Sequence, residues 1–362
     1  MAISIKRFAD INIKTFSSGE TTGTRGTILL CSTEATDTAG VTVYGMGGDD
    51  GASALLSGMT QTLAALQIFF DNGGVAAKVI PLDVSVTGSE FSSFTDDNVV
   101  IAYVGEGVTY TYVKSECVNY NAQASVYGTN RKIFCARFDA ASVATLDEDS
   151  VPYLAVKFSS VPGAEMTIAA YLSKTNVYAP DSIFDYMFTS ETIAPEDQIT
   201  DAQYGSIITN NMNVDITLAG AVRDCGGDLK DGSELIDTYC LILLHQTATE
   251  QIVRLLTQKV KNSTGIAQLY AVVSQELTRY LTSGYLTTDK SWTDPTLTVT
   301  YNSNVYTIIE KGTALPNGFI VRVLPASALT AADKAAHKAP PIYVVLATQY
   351  GIRAVTINGW VI

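Results

Sequence analysis

The sequence has few of the residue types on which active sites and metal centres depend. Only two histidines are present, His245 and His337, and neither has a partner at a spacing typical of metal ligands. The GxSxG, HExxH and Walker A motifs are absent, which excludes the common signatures of α/β hydrolases, zinc proteases and P-loop proteins. The sequence therefore predicts no catalytic residues, no metal site and no bound cofactor.

Positive charge and long apolar runs are also scarce. The chain has 23 Lys and Arg against 36 Asp and Glu, a net charge of −13, and phosphate contacts need clustered basic residues. The longest apolar run, Tyr239–Leu244, is far too short to span a membrane, and no apolar segment follows Lys6 and Arg7 as a signal peptide would require. We therefore expect no nucleic-acid partner and no membrane insertion.

Cysteine is sparse, and its pattern carries no redox or metal motif. The five residues are widely spaced, odd in number and free of any CxxC pair. This pattern favours reduced thiols in a chain made in a cytosol, and a disulfide that forms later, including one between subunits, stays open. The five are Cys31, Cys117, Cys135, Cys225 and Cys240.

What the sequence does contain is a clear α/β pattern at its start. The run "TILLCS" predicts a buried strand, residues 52–70 predict an amphipathic helix, the turn "DNGG" ends that helix, and "VAAKVIPL" predicts the next strand. The apolar stripe of the helix recurs at spacings of three and four residues. It comprises Leu55, Met59, Leu63, Leu66 and Phe70.

The texture changes over residues 84–199. This segment is rich in Tyr, Ser and Thr, and it contains short alternating stretches such as "VVIAYVGEGVTYTYVK" with turn residues at short intervals. We therefore predict a β-rich domain inserted into the α/β part.

Helices and then strands return in the last third. Asp231 and Glu234 have the spacing of a capping box before a long helix, and a second helix is expected to end at Gly284. Strands follow in "TLTVTY", "VYTIIEK", "GFIVRVLP" and "PPIYVVLATQYG", and the last is "AVTINGWVI" at the final residue.

Two groups of residues imitate binding motifs. Gly45, Gly47 and Gly51 resemble a loosened dinucleotide-binding loop, but the neighbouring Asp49 and Asp50 would repel a pyrophosphate and are better suited to capping a helix. A set of acids could suggest calcium, yet its spacing does not match an EF-hand and indicates a solvated helix start. These acids are Asp224, Asp228, Asp231, Glu234 and Asp237.

Two stretches carry a family resemblance. "ALQIFFDNGGVAAKVIPL" (Ala65–Leu82) looks like the Phe-Phe-x-Asn-Gly-Gly segment of bacteriophage contractile-tail sheath proteins. "IVRVLPASALTAADKAAHKAPPIYVVLATQYGIRAVTINGWVI", after two helices, is similar to their C-terminal domain, although Lys334 stands where the family has Arg in an Ala-Asp-Arg stretch. The resemblance covers residues 1–82 and 200–362.

The resemblance implies a structural protein, not an enzyme. It implies a sheath-type α/β (α+β) core with a mixed sheet flanked by helices, an inserted β-rich outer domain, and extended N- and C-terminal strand arms. Such subunits form a homo-oligomer of many copies, in hexameric rings stacked as a helix around a tail tube protein, with baseplate and tail terminator proteins at the ends. Contraction drives the tube through a cell envelope, as in genome ejection by a virion, whose tail would be the location of a chain made in the host cytoplasm.

The expected organisation follows from this. Residues 1–20 form the N-terminal arm, 21–83 and 200–350 the discontinuous core, 84–199 the inserted outer domain, and 351–362 the C-terminal arm strand. The arms would join the sheets of neighbouring subunits by β-augmentation. The predicted inter-subunit strand residues are Ile3, Ile5, Ile11, Ile13, Ala354, Val355, Thr356, Ile357, Trp360, Val361 and Ile362.

Three alternatives stay open. The last strand could pair within its own monomer, since an apolar run without charge or proline is also typical of a core strand. The chain could be another virion or injection-machine component, such as a non-contractile tail protein or an adhesin. It could also be an α/β enzyme that binds a nucleotide at Gly45–Gly51.

Overall fold

Twelve strands and eight helices make up the part of the chain that the computed structural model describes, residues 26–95, 98–127, 131–141, 146–257, 262–335 and 339–349. The strands are β1 (Thr27–Ser32), β2 (Val41–Val43), β3 (Ala76–Pro81), β4 (Val100–Val104), β5 (Ile133–Asp139), β6 (Leu154–Ser159), β7 (Asn213–Leu218), β8 (Ala221–Cys225), β9 (Leu297–Tyr301), β10 (Asn304–Ile309), β11 (Phe319–Val323) and β12 (Ile342–Leu346). The helices are α1 (Ala52–Leu55), α2 (Thr60–Asp71), α3 (Tyr110–Tyr127), α4 (Met166–Lys174), α5 (Asp201–Thr209), α6 (Leu235–Thr257), α7 (Asn262–Thr282) and α8 (Ala331–Ala335).

An eight-stranded mixed sheet organises the molecule, in the order β2-β3-β1-β4-β5-β6-β7-β8. The six strands from β3 to β7 are parallel, and an antiparallel strand lies at each edge, β2 beside β3 and β8 beside β7. Parallel strands need helices on both faces. Accordingly, α2, α4, α6 and α7 share one hydrophobic core, while α3 and α5 pack on the opposite core.

The motif "FFDNGG" has a clear structural role at the end of α2. The helix ends at Asp71, Asn72 is its C-cap, and Gly73 adopts the left-handed backbone conformation (φ 84°) that lets the chain reverse into β3. Gly74 lies against the buried ring of Phe69, where an added Cβ atom would come within 2.4 Å of the ring. The predicted strands β1 and β3 are confirmed.

The helix predicted over residues 52–70 is present in two pieces. Gly58 has φ 92°, a left-handed conformation incompatible with a continuing α-helix, so α1 ends at Leu55 and α2 begins at Thr60. The expectation that Asp49 or Asp50 caps this helix is wrong. Gly51 is the N-cap of α1, and no side chain caps that helix.

The inserted β-rich domain expected over residues 84–199 does not form a separate sheet. This segment supplies β4, β5 and β6, three adjacent strands near the middle of the eight-stranded sheet, together with α3 and α4. Its strands are buried because helices cover both faces of the eight-stranded sheet. In the sequence, the polar connections between these buried strands give the segment the character of an outer β domain.

The stretch "VTYTYVK" alternates as a strand would, but the structure is helical there. These residues begin α3, in which Val113, Cys117 and Tyr120 are all buried against the sheet. Their spacing of four and three residues is helical, and the packing of this face overrides the β propensity of the Tyr and Thr residues beside it.

The last third of the chain forms a helical hairpin and two small sheets. Helices α6 and α7 pack against each other, and apolar side chains that include Cys240, Leu243 and Leu277 are buried there. Strands β9 and β10 form one antiparallel pair, and β11 and β12 form another. Among the described residues, no helix combines the length and the hydropathy needed to cross a bilayer.

Candidate functional site

The glycine-rich loop at Gly45–Gly51 is not built to hold a phosphate. It follows the antiparallel edge strand β2, whereas a dinucleotide fold places this loop after a parallel strand. The first N–H groups of α1 are also already used, since Ala52 N donates to Gly45 O (2.9 Å) and Ser53 N to Met46 O (3.1 Å). The loop therefore caps its own helix and offers no free donors there.

The acidic set before α6 does not gather into one site. Helix α6 begins at Leu235, and Asp231 instead accepts hydrogen bonds from Ser233 N (3.1 Å) and Ser233 Oγ (2.6 Å). The predicted Asp231–Glu234 capping box is therefore wrong, because Gly232 (φ 82°) reverses the chain into a tight turn before the helix. Asp224 does not lie in this turn, because it is buried on β8.

The most unusual polar site is a buried cluster around Lys157, which we call the Lys157 cluster. The Lys157 ammonium on β6 lies 2.7 Å from Asp215 Oδ1 on β7, 2.8 Å from Asp224 Oδ1 on β8 and 2.9 Å from Glu191 Oε2 in the connection between α4 and α5. It also lies 3.1 Å from the Tyr186 hydroxyl. These four charged side chains are at most 2% exposed.

The hydrogen bonds of the Lys157 cluster leave a shortage of donors. An ammonium has three N–H groups, and three carboxylates each accept one. Tyr186 donates to the other oxygen of Glu191, while Asp215 Oδ2 and Asp224 Oδ2 have no donor among the described residues of the protein. One positive and three negative charges would give this buried cluster a net charge of −2, which is strongly unfavourable in a buried site. Protons must therefore be held among the three carboxyl groups.

The pKa shifts agree with this count of charges. Burial, opposed by Lys157 and reinforced by Glu191, raises the pKa of Asp215 to about 8 and that of Asp224 to about 7. Glu191 is also buried, but its contacts, the Lys157 charge foremost, hold its pKa below the usual range. Glu191, Asp215 and Asp224 titrate as a coupled group, so the protons belong to the cluster as a whole.

The three carboxylates have the spacing of a metal site, each offering an oxygen within 4.8 Å of the others. The ammonium of Lys157 already lies among them, so the position a cation would take is filled by the chain itself. No substrate can reach these buried atoms. The cluster joins strands β6, β7 and β8 to the connection between α4 and α5.

A crevice of about 430 Å³ opens at the carboxyl ends of β4 and β5, where doubly wound sheets commonly bind ligands. Its polar lining includes Arg137, Asp139 and Glu165, and burial raises the pKa of Glu165 to about 7. Arg137 Nη1 donates to Ser159 O (2.9 Å). The one thiol in the lining, Cys135, is buried with a raised pKa, so it is not an activated nucleophile.

The predicted inter-subunit residues at both termini lie outside the described residues, so their pairing stays a prediction. The last described residue, Gln349, lies just beyond the β11–β12 pair, and its N–H donates to Tyr285 O (2.9 Å). Within the described ranges, β11 and β12 are paired only with each other. Each strand thus presents a second edge next to the point where the C-terminal segment begins.

Sequence comparison and structural comparison give different results. No family model matches the sequence, and no curated protein shows detectable similarity to it. The fold is nevertheless shared with the PVC sheath complex of an extracellular contractile injection system in its contracted state, with a TM-score of 0.61 and 12% identity. That similarity covers 96% of this chain and 92% of the other.

Two structures of the anti-feeding prophage are similar as well, both in the contracted state. Its helical sheath matches with a TM-score of 0.57 and 14% identity, covering 99% of this chain and 98% of the other. Its baseplate structure matches with a TM-score of 0.58 and 13% identity, covering 95% of each chain. At this identity the likeness establishes the fold alone: the chain has a fold found in the sheaths of contractile injection systems.

Proposed function

We propose that this chain is the structural subunit of a contractile sheath. Many copies assemble as a helix, in hexameric rings, around a tail tube, and contraction of the assembly drives the tube through a cell envelope. The tube protein, a baseplate and a terminator are its partners. The assembly is a phage tail or a related injection machine, made in the cytoplasm of the producing cell, and the subunit has no catalytic role.

The observation that carries this proposal is a fold shared over nearly the full length of both chains. The alignments cover 95–99% of this chain and 92–98% of the related chains. A short common motif could arise in unrelated proteins, but a match of this extent leaves little of either chain outside the alignment. The motif at Ala65–Leu82 and the C-terminal stretch, both of which resemble sheath proteins, support the same proposal.

The proposed linkage between subunits is β-augmentation at the β11–β12 pair. The β11–β12 pair packs on α7 and on the small third core, and neither strand pairs with another described strand, so an added strand could extend this sheet. The arms at residues 1–20 and 351–362 supply the strands in this proposal, through the apolar residues between Ile3 and Ile13 and between Ala354 and Ile362. During contraction the subunits would move as largely rigid bodies while these linkages persist.

Electron microscopy of the purified full chain tests the proposal. We expect long hollow tubes, and sedimentation should show species far larger than a monomer, because strand exchange in one direction continues from subunit to subunit. A preparation that stays monomeric at high protein concentration and binds a nucleotide would contradict the sheath and favour the α/β enzyme.

A further inference from the structure

A short segment covers the outer edge of β8. Residues Phe188–Glu191, which we call the edge strap, run antiparallel to β8. Phe188 N donates to Asp224 O (2.8 Å), Asp224 N to Thr189 O (3.1 Å) and Glu191 N to Val222 O (3.1 Å). The strap therefore occupies backbone groups of an edge strand that would otherwise be open to pairing with another chain.

Apolar packing of its own side chains does little to hold the edge strap. The Phe188 side chain is 40% exposed, and its backbone has φ 66°, a conformation that is strained for an aromatic residue. Polar contacts hold the segment instead. Arg223 Nη1 donates to Phe188 O (2.9 Å), and at the other end of the strap Glu191 joins the Lys157 cluster.

The strap is thus fastened by a cluster that has one ammonium for three buried carboxyl groups. We propose that the Lys157 cluster is a proton-loaded latch: protons held among Glu191, Asp215 and Asp224 keep the edge strap closed on β8, and their loss releases it. Without those protons, the carboxylates that meet at Lys157 repel one another. Glu191 lies on a loop, whereas Asp215 and Asp224 lie on paired strands, so movement of Glu191 into water relieves this repulsion with the least disruption of the sheet. The latch does not depend on the proposed sheath function.

The protonation of the latch depends on the titratable and charged groups around it. Besides its four ionisable residues, the cluster contacts the hydroxyl of Tyr186, which is hydrogen-bonded to Thr167 on α4 (3.2 Å). Asp185 adds negative charge near Asp224, and Cys225 follows Asp224 on β8. Among the described residues, Lys157 is the cation bonded to these carboxyl groups, and its pKa stays above its usual value because the attraction of the carboxyl groups outweighs its burial. It therefore remains charged throughout the neutral range.

The sign of the pH dependence follows from the raised pKa values of the two aspartic acids. The closed strap holds protons that these carboxyl groups would release in an open, hydrated state, where their pKa values are near 4. Closure is therefore most favourable in mild acid, weakens as the pH rises from about 4 to about 8, and changes little above that range. The low pKa of Glu191 opposes this trend only at the acid end of the range.

Amide hydrogen exchange of the full chain, read at Phe188, Glu191 and Asp224, tests the latch. After correction for the intrinsic increase with pH, we expect the opening of these amides to rise at least about tenfold between about pH 5.5 and about pH 8. Amides of β1, which lies elsewhere in the sheet, should show no such rise. Asp215→Asn removes one of the three carboxyl groups and nearly keeps the shape of the side chain. The opening of the edge strap in this variant should therefore depend much less on pH.

Asp294→Asn, which removes an exposed carboxylate far along the chain from the cluster, is the matched control and should behave like the wild type. The proposal is overturned if the corrected opening in the wild type is independent of pH, or if it rises equally in β1. An unchanged pH response in a folded Asp215→Asn protein would also overturn it. If that variant does not fold, the comparison within the wild type decides the question.

Discussion

Replacing Lys157 by Met is expected to lower the free energy of unfolding by about 3–5 kcal/mol at neutral pH, the usual cost of removing one partner from a buried ion cluster. Methionine fills most of the space of the lysine stem, so the loss comes from the charge and its hydrogen bonds. Three carboxyl groups would then be buried without their shared donor. Urea unfolding followed by circular dichroism measures the effect.

The pH dependence of this variant separates charge from packing. Without the ammonium, Glu191, Asp215 and Asp224 can be buried only as neutral acids, so the cost of Lys157→Met should shrink as the pH falls toward about 5. Adding Asp224→Asn should recover part of the lost stability at neutral pH. The exposed Lys311→Met is the matched control and should change stability by less than about 0.5 kcal/mol. A loss below about 1 kcal/mol, or one independent of pH, would contradict the assigned role.

Deleting Ala354–Ile362 is expected to abolish assembly while leaving the fold intact. If the final strand pairs with another copy, its removal takes away the link between subunits, while every described member of the three cores is retained. Sedimentation and electron microscopy should find monomers in place of tubes. Urea unfolding should find a midpoint close to that of the full chain.

A full-length control separates the strand from mere chain length. Val355→Pro with Ile357→Pro keeps every other residue but removes two backbone donors and disfavours a paired strand. We expect the same loss of assembly. If the truncated protein unfolds or aggregates instead, the last strand belongs to the core of its own monomer. If it still forms tubes, the C-terminal arm is not the link.

Local signals in the sequence were sufficient to predict several of the strands and helices. The apolar run of β1, the "FFDNGG" turn and the stripes of α6 and α7 each contain, within a short window, the residues that decide their structure. The polar helix α3 lacked such a signal, since its buried face at Val113, Cys117 and Tyr120 is surrounded by residues that favour strands. The sheet order, and with it the place of residues 84–199, depends on pairings between distant strands.

The Lys157 cluster could not be predicted for the same reason. A single lysine in "LAVKFS" is typical of a strand with one side in solvent, yet this strand is buried on both faces. Its partners lie 34, 58 and 67 residues away along the chain, on three different segments. The one available hint was a strongly apolar strand with a lone charge, because a buried charge requires partners.

We propose that copies of this chain join into a sheath through their terminal strands, and cryo-electron microscopy of assembled tubes can locate these strands. We expect a hollow helical tube in which the strand Ala354–Ile362 of one subunit lies beside the β11–β12 pair of its neighbour. Tubes in which that strand pairs within its own subunit, or protein that forms no tube at all, would contradict it.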